Sequence, residues 1–152
     1  MSDKQVYHQN NRKSLLTIGS ITIVVSLFLC LVARIFLPTL ASAFILFIII
    51  GSFIIGIANT KIVISSEGIE LHQFGFCTRT PWSNVARIAP FQSSNISTQA
   101  IYFHQPAKQF FKILLFQPVT SIKMIPLYQF RFDAESKLGR ALRLYRPDVF
   151  NI

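Results

Sequence analysis

Two runs of apolar residues dominate the first third of the chain, Leu15 to Ala33 and Leu40 to Ala58, with Arg34 in the short gap between them. At about 1.5 Å rise per helical residue, each run is long enough to cross a hydrocarbon layer of roughly 30 Å. The pattern predicts a two-helix transmembrane hairpin over 15–58, with helices at 15–33 and 40–58 and a turn at Pro38-Thr39. Small residues inside the runs, among them Gly19, Ser26, Gly51 and Gly56, suit close packing of the two helices on each other. A cleaved leader is the competing account, because Ala41-Ser42-Ala43 fits the small-x-small cleavage pattern. Arg34, Pro38 and the second apolar run argue against it.

Residues 1–14 are polar and have too little apolar content to fold alone, so they read as a short cytoplasmic tail. After Asn59 the period changes. Lys61 to Ser65 and Ile69 to Phe74 alternate and are rich in β-branched residues, and Ser66-Glu67-Gly68 between them supplies a turn with glycine where positive φ is needed. Gly75 breaks the second run. Further strands are predicted at Phe76 to Thr80, Val85 to Ile88, Ala100 to His104, Phe110 to Phe116 and Lys123 to Phe132, with a polar loop over Gln92 to Thr98. Asp133 can cap a helix running from Ala134 to Tyr145 until Pro147 ends it. At 100° per residue, Leu138, Ala141, Leu142 and Tyr145 share one face, and Lys137, Arg140, Arg143 and Arg146 spread over the other. The expected domain over 59–152 is thus about seven antiparallel strands closed by an amphipathic helix.

The Ile64-Ser65-Ser66-Glu67-Gly68-Ile69-Glu70-Leu71 hairpin, the segment Arg79-Thr80-Pro81-Trp82-Ser83-Asn84-Val85-Ala86-Arg87-Ile88 and the strands-then-helix order resemble the bacterial pleckstrin-homology-like domains found fused to transmembrane hairpins. The resemblance covers roughly Lys61 to Tyr145. It implies an α+β split β-barrel of two nearly orthogonal sheets plugged by the C-terminal helix, and it implies lipid binding, protein binding or assembly rather than one ligand. The loop that holds basic residues in phosphoinositide-binding relatives is here Ser65-Ser66-Glu67-Gly68, which argues against that ligand.

Charge adds orientation. The formal net charge is +9, with the excess flanking the apolar runs: Arg12 and Lys13 before the first and Lys61 after the second, against Arg34 alone between them. Lysine and arginine favour the cytoplasmic side, so both termini are expected there, with the protein multi-pass in the cell inner membrane. Cys30 and Cys77 fall at different depths and form no disulfide framework, and Cys77 is expected to be reduced.

Candidate chemistry is sparse. His8, His72 and His104 are widely separated and match no metal or triad spacing. A thiolate site pairing Cys77 with His72 or His104 across strands is the one arrangement worth naming, and an isolated strand histidine is more often a half-exposed polar residue. Glu67 and Glu70 flank a turn, Asp133 and Glu135 a helix start, and Trp82 reads as packing at the rim of the core. No catalytic group, metal or cofactor is expected. A pI near 10.1 without interleaved aromatic and basic residues does not make a nucleic-acid site. Phe110 to Phe116 is apolar at both parities, so each of its faces needs a cover. The candidate interaction surface is therefore Phe111, Lys112, Lys137, Arg140, Arg143 and Arg146. The function expected is a membrane-anchored, non-enzymatic interaction or assembly module that binds anionic headgroups, a protein partner or a second copy. A membrane-bound enzyme or transport accessory subunit is the alternative.

Overall fold

A computed structural model of the chain describes residues 4–36, 38–93, 96–111, 114–130 and 132–150. They form two compact units, the helical segment Asn11–Asn59 and a second unit that joins the residues up to Asn10 to those from Thr60 onward.

In the helical unit, α1 (Arg12–Phe36) packs against α2 (Pro38–Ala58). Two small residues face each other across the pair: a Cβ on Gly19 would stand 3.0 Å from Gly51 O, and one on Gly51 would stand 3.0 Å from Gly19 O. Hydroxyls inside the apolar stretches bond back to their own helix, Thr22 Oγ1 donating to Ile18 O at 2.9 Å and Ser52 Oγ to Ile48 O at 2.9 Å, which satisfies those donors within the helix. The expected pair of full spans is corrected. Among the described residues one helix, Arg12–Ile35, is long and apolar enough to cross a membrane, and the apolar part of the second, Ser42–Ala58, is shorter. Only 11% of the most apolar window of α1 is buried within the protein. A core helix of a soluble domain would be mostly covered, and here Val24, Phe28, Leu31 and Ile35 stand exposed.

The second unit is built on an antiparallel sheet with seven strands among the described residues: β1 (Gln5–His8), β2 (Lys61–Ser65), β3 (Gly68–Gln73), β4 (Phe76–Pro81), β5 (Val85–Ser93), β6 (Ile96–Phe111) and β7 (Leu114–Pro126). The order is β1-β2-β3-β4-β6-β5, with β7 also on β6. This corrects the split barrel: one continuous sheet replaces two orthogonal ones, and its end strands β1 and β5 are not paired with each other. The reason lies in β6. It pairs with β5 over Ile96 to Phe103 and with β4 over Gln109 to Phe111, while β7 runs along its other side. Between Tyr102 and Ala107 the β6–β7 register slips. Pro106 has no N–H to give the ladder there, and the Gln105 backbone turns to Asn84, whose Nδ2 donates to Gln105 O and whose Oδ1 accepts from Gln105 N, each at 2.9 Å. One bulged strand therefore occupies what reads in sequence as two strands and a loop. The expected strand Phe110 to Phe116 is likewise divided, with Phe111 ending β6 and Leu114 opening β7.

The segment expected to be a tail supplies β1. It pairs with β2 through Gln5↔Ile64, Val6↔Val63, Tyr7↔Ile62 and His8↔Lys61, and Gln9 N donates to Thr60 O at 3.3 Å. The whole helical unit is thus an insertion between two neighbouring strands.

On one face of the sheet lies the core: Ile62, Ile64, Ile69, Leu71, Val85, Ile88, Ile101, Phe103 and Ile125, closed by Leu138, Ala141 and Leu142 of α3 (Lys137–Tyr145). The helix starts later than its composition suggests. Ser136, not Asp133, is the N-cap; its Oγ accepts from Gly139 N at 3.0 Å and donates to Asp133 O at 2.6 Å. Trp82 is partly buried against this core, its ring stacked on Tyr145 at 5.0 Å and its Nε1 donating to Ser65 O at 2.8 Å.

Candidate functional site

The amphipathic reading of α3 holds, and the helix sorts the predicted basic residues into two groups. Leu138, Gly139, Ala141 and Leu142 are buried, whereas Lys137, Arg140, Arg143 and Leu144 are exposed. Arg143 Nη1 lies 3.4 Å from Glu135 Oε1, and its guanidinium stands 5.2 Å from the centre of the Phe150 ring. Burial pushes the Tyr7 phenol of β1 upward, and the positive charge of Arg140 opposes that rise.

Arg146 leaves the surface. Its side chain, 22% exposed, grips Asp148 through Nε at 2.8 Å and Nη2 at 2.7 Å, and its Nη1 donates to Trp82 O. The bond to Asp148 raises Arg146 and holds the Asp148 carboxyl below the usual carboxylate range. The pair therefore works at neutral pH and is lost only as pH falls through and below that range. Arg146 ties the end of α3 to the turn that carries Trp82, a structural task. Phe111 is half-buried, edge-on to Phe76 at a centroid distance of 5.2 Å. Lys112 lies outside the described residues.

A second group of polar residues lies on the sheet face opposite the core. The turn between β3 and β4 is the two residues Phe74 and Gly75, with φ of 49° and 80°, which matches the type I′ turn that suits strand twist. It sets His72 opposite Cys77 and Glu70 opposite Arg79. His72 Nε2 is 3.2 Å from Glu70 Oε2 and 4.0 Å from Cys77 Sγ, and Arg79 Nη2 is 2.7 Å from Glu70 Oε1. Glu70 is buried and His72 and Cys77 are half-buried. A shallow pocket of about 200 Å³, lined by Ser65, Glu67, Gly68, Glu70, Arg79 and Pro81, adjoins the cluster.

The structure brings Cys77 and His72 together, as the cross-strand pairing considered above requires, and adds Glu70 and Arg79 as neighbours that the sequence pattern does not single out. Strand alternation already puts Glu70 and His72 on one face. The position of the turn, Phe74-Gly75, dictates both cross-strand pairs, and alternation alone does not show it. His104, the other histidine considered, lies elsewhere, in a pocket of about 470 Å³ with Pro81, Ser83, Asn84, Gln105 and Pro106.

Compared with known protein families, with curated proteins and with solved structures, the chain gave no match.

Proposed function

We propose that this chain is a membrane-anchored, non-enzymatic interaction module that uses the outward face of α3 to bind anionic lipid surfaces. The observation that carries this reading is the division of α3. Its apolar side is consumed by the core, which leaves Lys137, Arg140 and Arg143 presented together beside the exposed Leu144. Near an anionic leaflet each basic residue contributes about 1 kcal/mol, so three amount to roughly 3 kcal/mol. That is weak for a free protein and useful for a tethered one, whose effective concentration at the surface is already high. The exposed apolar surface of α1 supports the tether.

The finer placement belongs to the same proposal: the cell inner membrane, with β1 and the residues from Thr60 onward on the cytoplasmic side. Arg12, Lys13 and Lys61 favour that side. The pairing of β1 with β2 supports a common side for the two ends of the helical unit, because paired strands cannot be parted by a bilayer.

The adjacency of Gln9 and Thr60 provides the test material. Replacing residues 10–59 with an Asn-Gly turn, which suits a two-residue hairpin, should yield a soluble form of the sheet unit. This form should float with vesicles rich in phosphatidylserine and not with pure phosphatidylcholine, and the binding should fade as added salt shortens the Debye length from about 10 Å to 3 Å. Arg140→Gln with Arg143→Gln should abolish the preference and leave the melting temperature nearly unchanged, since exposed charges contribute little to folding. Equal flotation with both lipids, or none with either, would remove α3 as a lipid-binding surface.

A further inference from the structure

The geometry points to Glu70, His72 and Cys77 as the three protein ligands of a divalent metal ion of the zinc class, held on the sheet face opposite the core. The argument begins with which atoms converge. In a nucleophilic relay, one ring nitrogen of the histidine faces the thiol and the other faces the carboxylate, so that a proton passes along a line. Here the same atom, His72 Nε2, faces both Cys77 Sγ and Glu70 Oε2. The three groups close on one point instead of forming a chain, and a shared point is what a cation needs.

The spacing agrees. With Zn–N and Zn–O near 2.0 Å and Zn–S near 2.3 Å, tetrahedral ligand atoms stand about 3.3 to 3.5 Å apart. The nitrogen and oxygen here are 3.2 Å apart and the nitrogen and sulfur 4.0 Å, and the three ligand atoms all lie within 4.8 Å of one another. To complete the set the sulfur must close by about 0.5 Å on the nitrogen and by up to about 1.3 Å on the carboxylate oxygen, a movement within reach of side-chain rotation. One thiolate, one imidazole and one carboxylate make a mixed sulfur, nitrogen and oxygen site, which suits zinc-class ions and not magnesium or calcium.

The surroundings hold the ligands in place. His72 and Cys77 are directly opposed, and Glu70 is two residues along β3, so rigid antiparallel backbone carries all three. Arg79 binds Glu70 through Oε1 and leaves Oε2 toward His72, an outer contact that orients a ligand carboxylate. Binding converts the Cys77 thiol to a metal thiolate and releases its proton to solvent, and the thiolate and carboxylate together balance the charge of the dication. A fourth position remains for water or a ligand from outside.

The test uses the full chain in detergent, stripped with a chelator and titrated with Co²⁺ as a spectroscopic probe. One Co²⁺ per chain should produce a thiolate-to-cobalt charge-transfer band that Zn²⁺ abolishes by displacement. Cys30→Ser should keep the band and Cys77→Ser should remove it. His72→Ala and Glu70→Gln should each weaken Co²⁺ binding by more than about 100-fold, because even outer partners of metal ligands are worth about 10- to 100-fold. Should a variant fail to fold, the wild type still decides: Zn²⁺ should slow alkylation of Cys77, read by mass spectrometry, and leave Cys30 unaffected. No band in the wild type, a band that survives Cys77→Ser, unaltered affinity in His72→Ala, or Cys77 alkylation indifferent to Zn²⁺ would each overturn the metal site and leave the cluster as a cross-strand ion pair.

Discussion

Gly68→Ala should be the most damaging single-methyl change in the sheet unit, costing about 3 to 5 kcal/mol in chemical denaturation of the full chain. Gly68 opens β3 with φ of +151°, a conformation that side chains rarely adopt. A Cβ there would stand 2.1 Å from Thr80 O and 2.8 Å from Pro81 Cα. Both are backbone atoms of the neighbouring strand, so the strain cannot be relieved by rotating a side chain. It must be met by parting β3 from β4 at Gly68↔Pro81 or by distorting the Ser65-to-Gly68 turn. Since whole domains are stable by only about 5 to 15 kcal/mol, the variant should melt early or fail to accumulate. Glu67→Ala, one residue away and exposed, should change stability by less than about 0.5 kcal/mol. A Gly68→Ala protein as stable as the parent would mean that β4 does not approach this turn.

Leu142→Ala and Leu144→Ala form the second pair of expectations, and they separate the two faces of α3. Leu142 is 1% exposed within the core and Leu144 is 72% exposed. Truncating the first removes buried methyl groups and leaves a cavity between helix and sheet, at a cost of about 2 to 5 kcal/mol. Truncating the second removes nothing from the core and should fall within about 0.5 kcal/mol of the parent. On vesicles the order should reverse, with the Leu144 variant the weaker binder and the Leu142 variant impaired only through its folding. Equal destabilisation by both would mean that α3 is not seated on this face.

What could be read from the sequence was local. The alternation of Lys61 to Ser65 and Ile69 to Phe74 marks the β2–β3 hairpin, and Gly68 marks its turn, because the two strands are adjacent and their contacts are set by neighbouring residues. The buried face of α3 follows in the same way from helical periodicity. What was not legible depends on pairing across distance. Gln5 to His8 is too short and polar to signal a strand, and it becomes one because β2 offers an unpaired edge after an insertion of some fifty residues. The bulge at Gln105-Pro106 hides the length of β6, since its local polarity resembles a loop and Asn84 supplies the bonds that the ladder loses there. Arg146 falls on the polar side of a helical wheel, yet the chain leaves the helix at that residue and turns it inward to Asp148 and Trp82. The Glu70, His72 and Cys77 cluster was half legible: the residue types stood out, and only the exact turn brought them together.

The measurement that bears most directly on the proposed membrane anchor, whose two ends lead into one sheet, is the sidedness of reporters joined at Met1 and at Ile152. Both should report the cytoplasmic side, in accord with Arg12, Lys13 and Lys61 and with the pairing of Val6 and Val63. Reporters on opposite sides of the membrane would place β1 beyond reach of β2 and contradict both the sheet and the anchoring built on it.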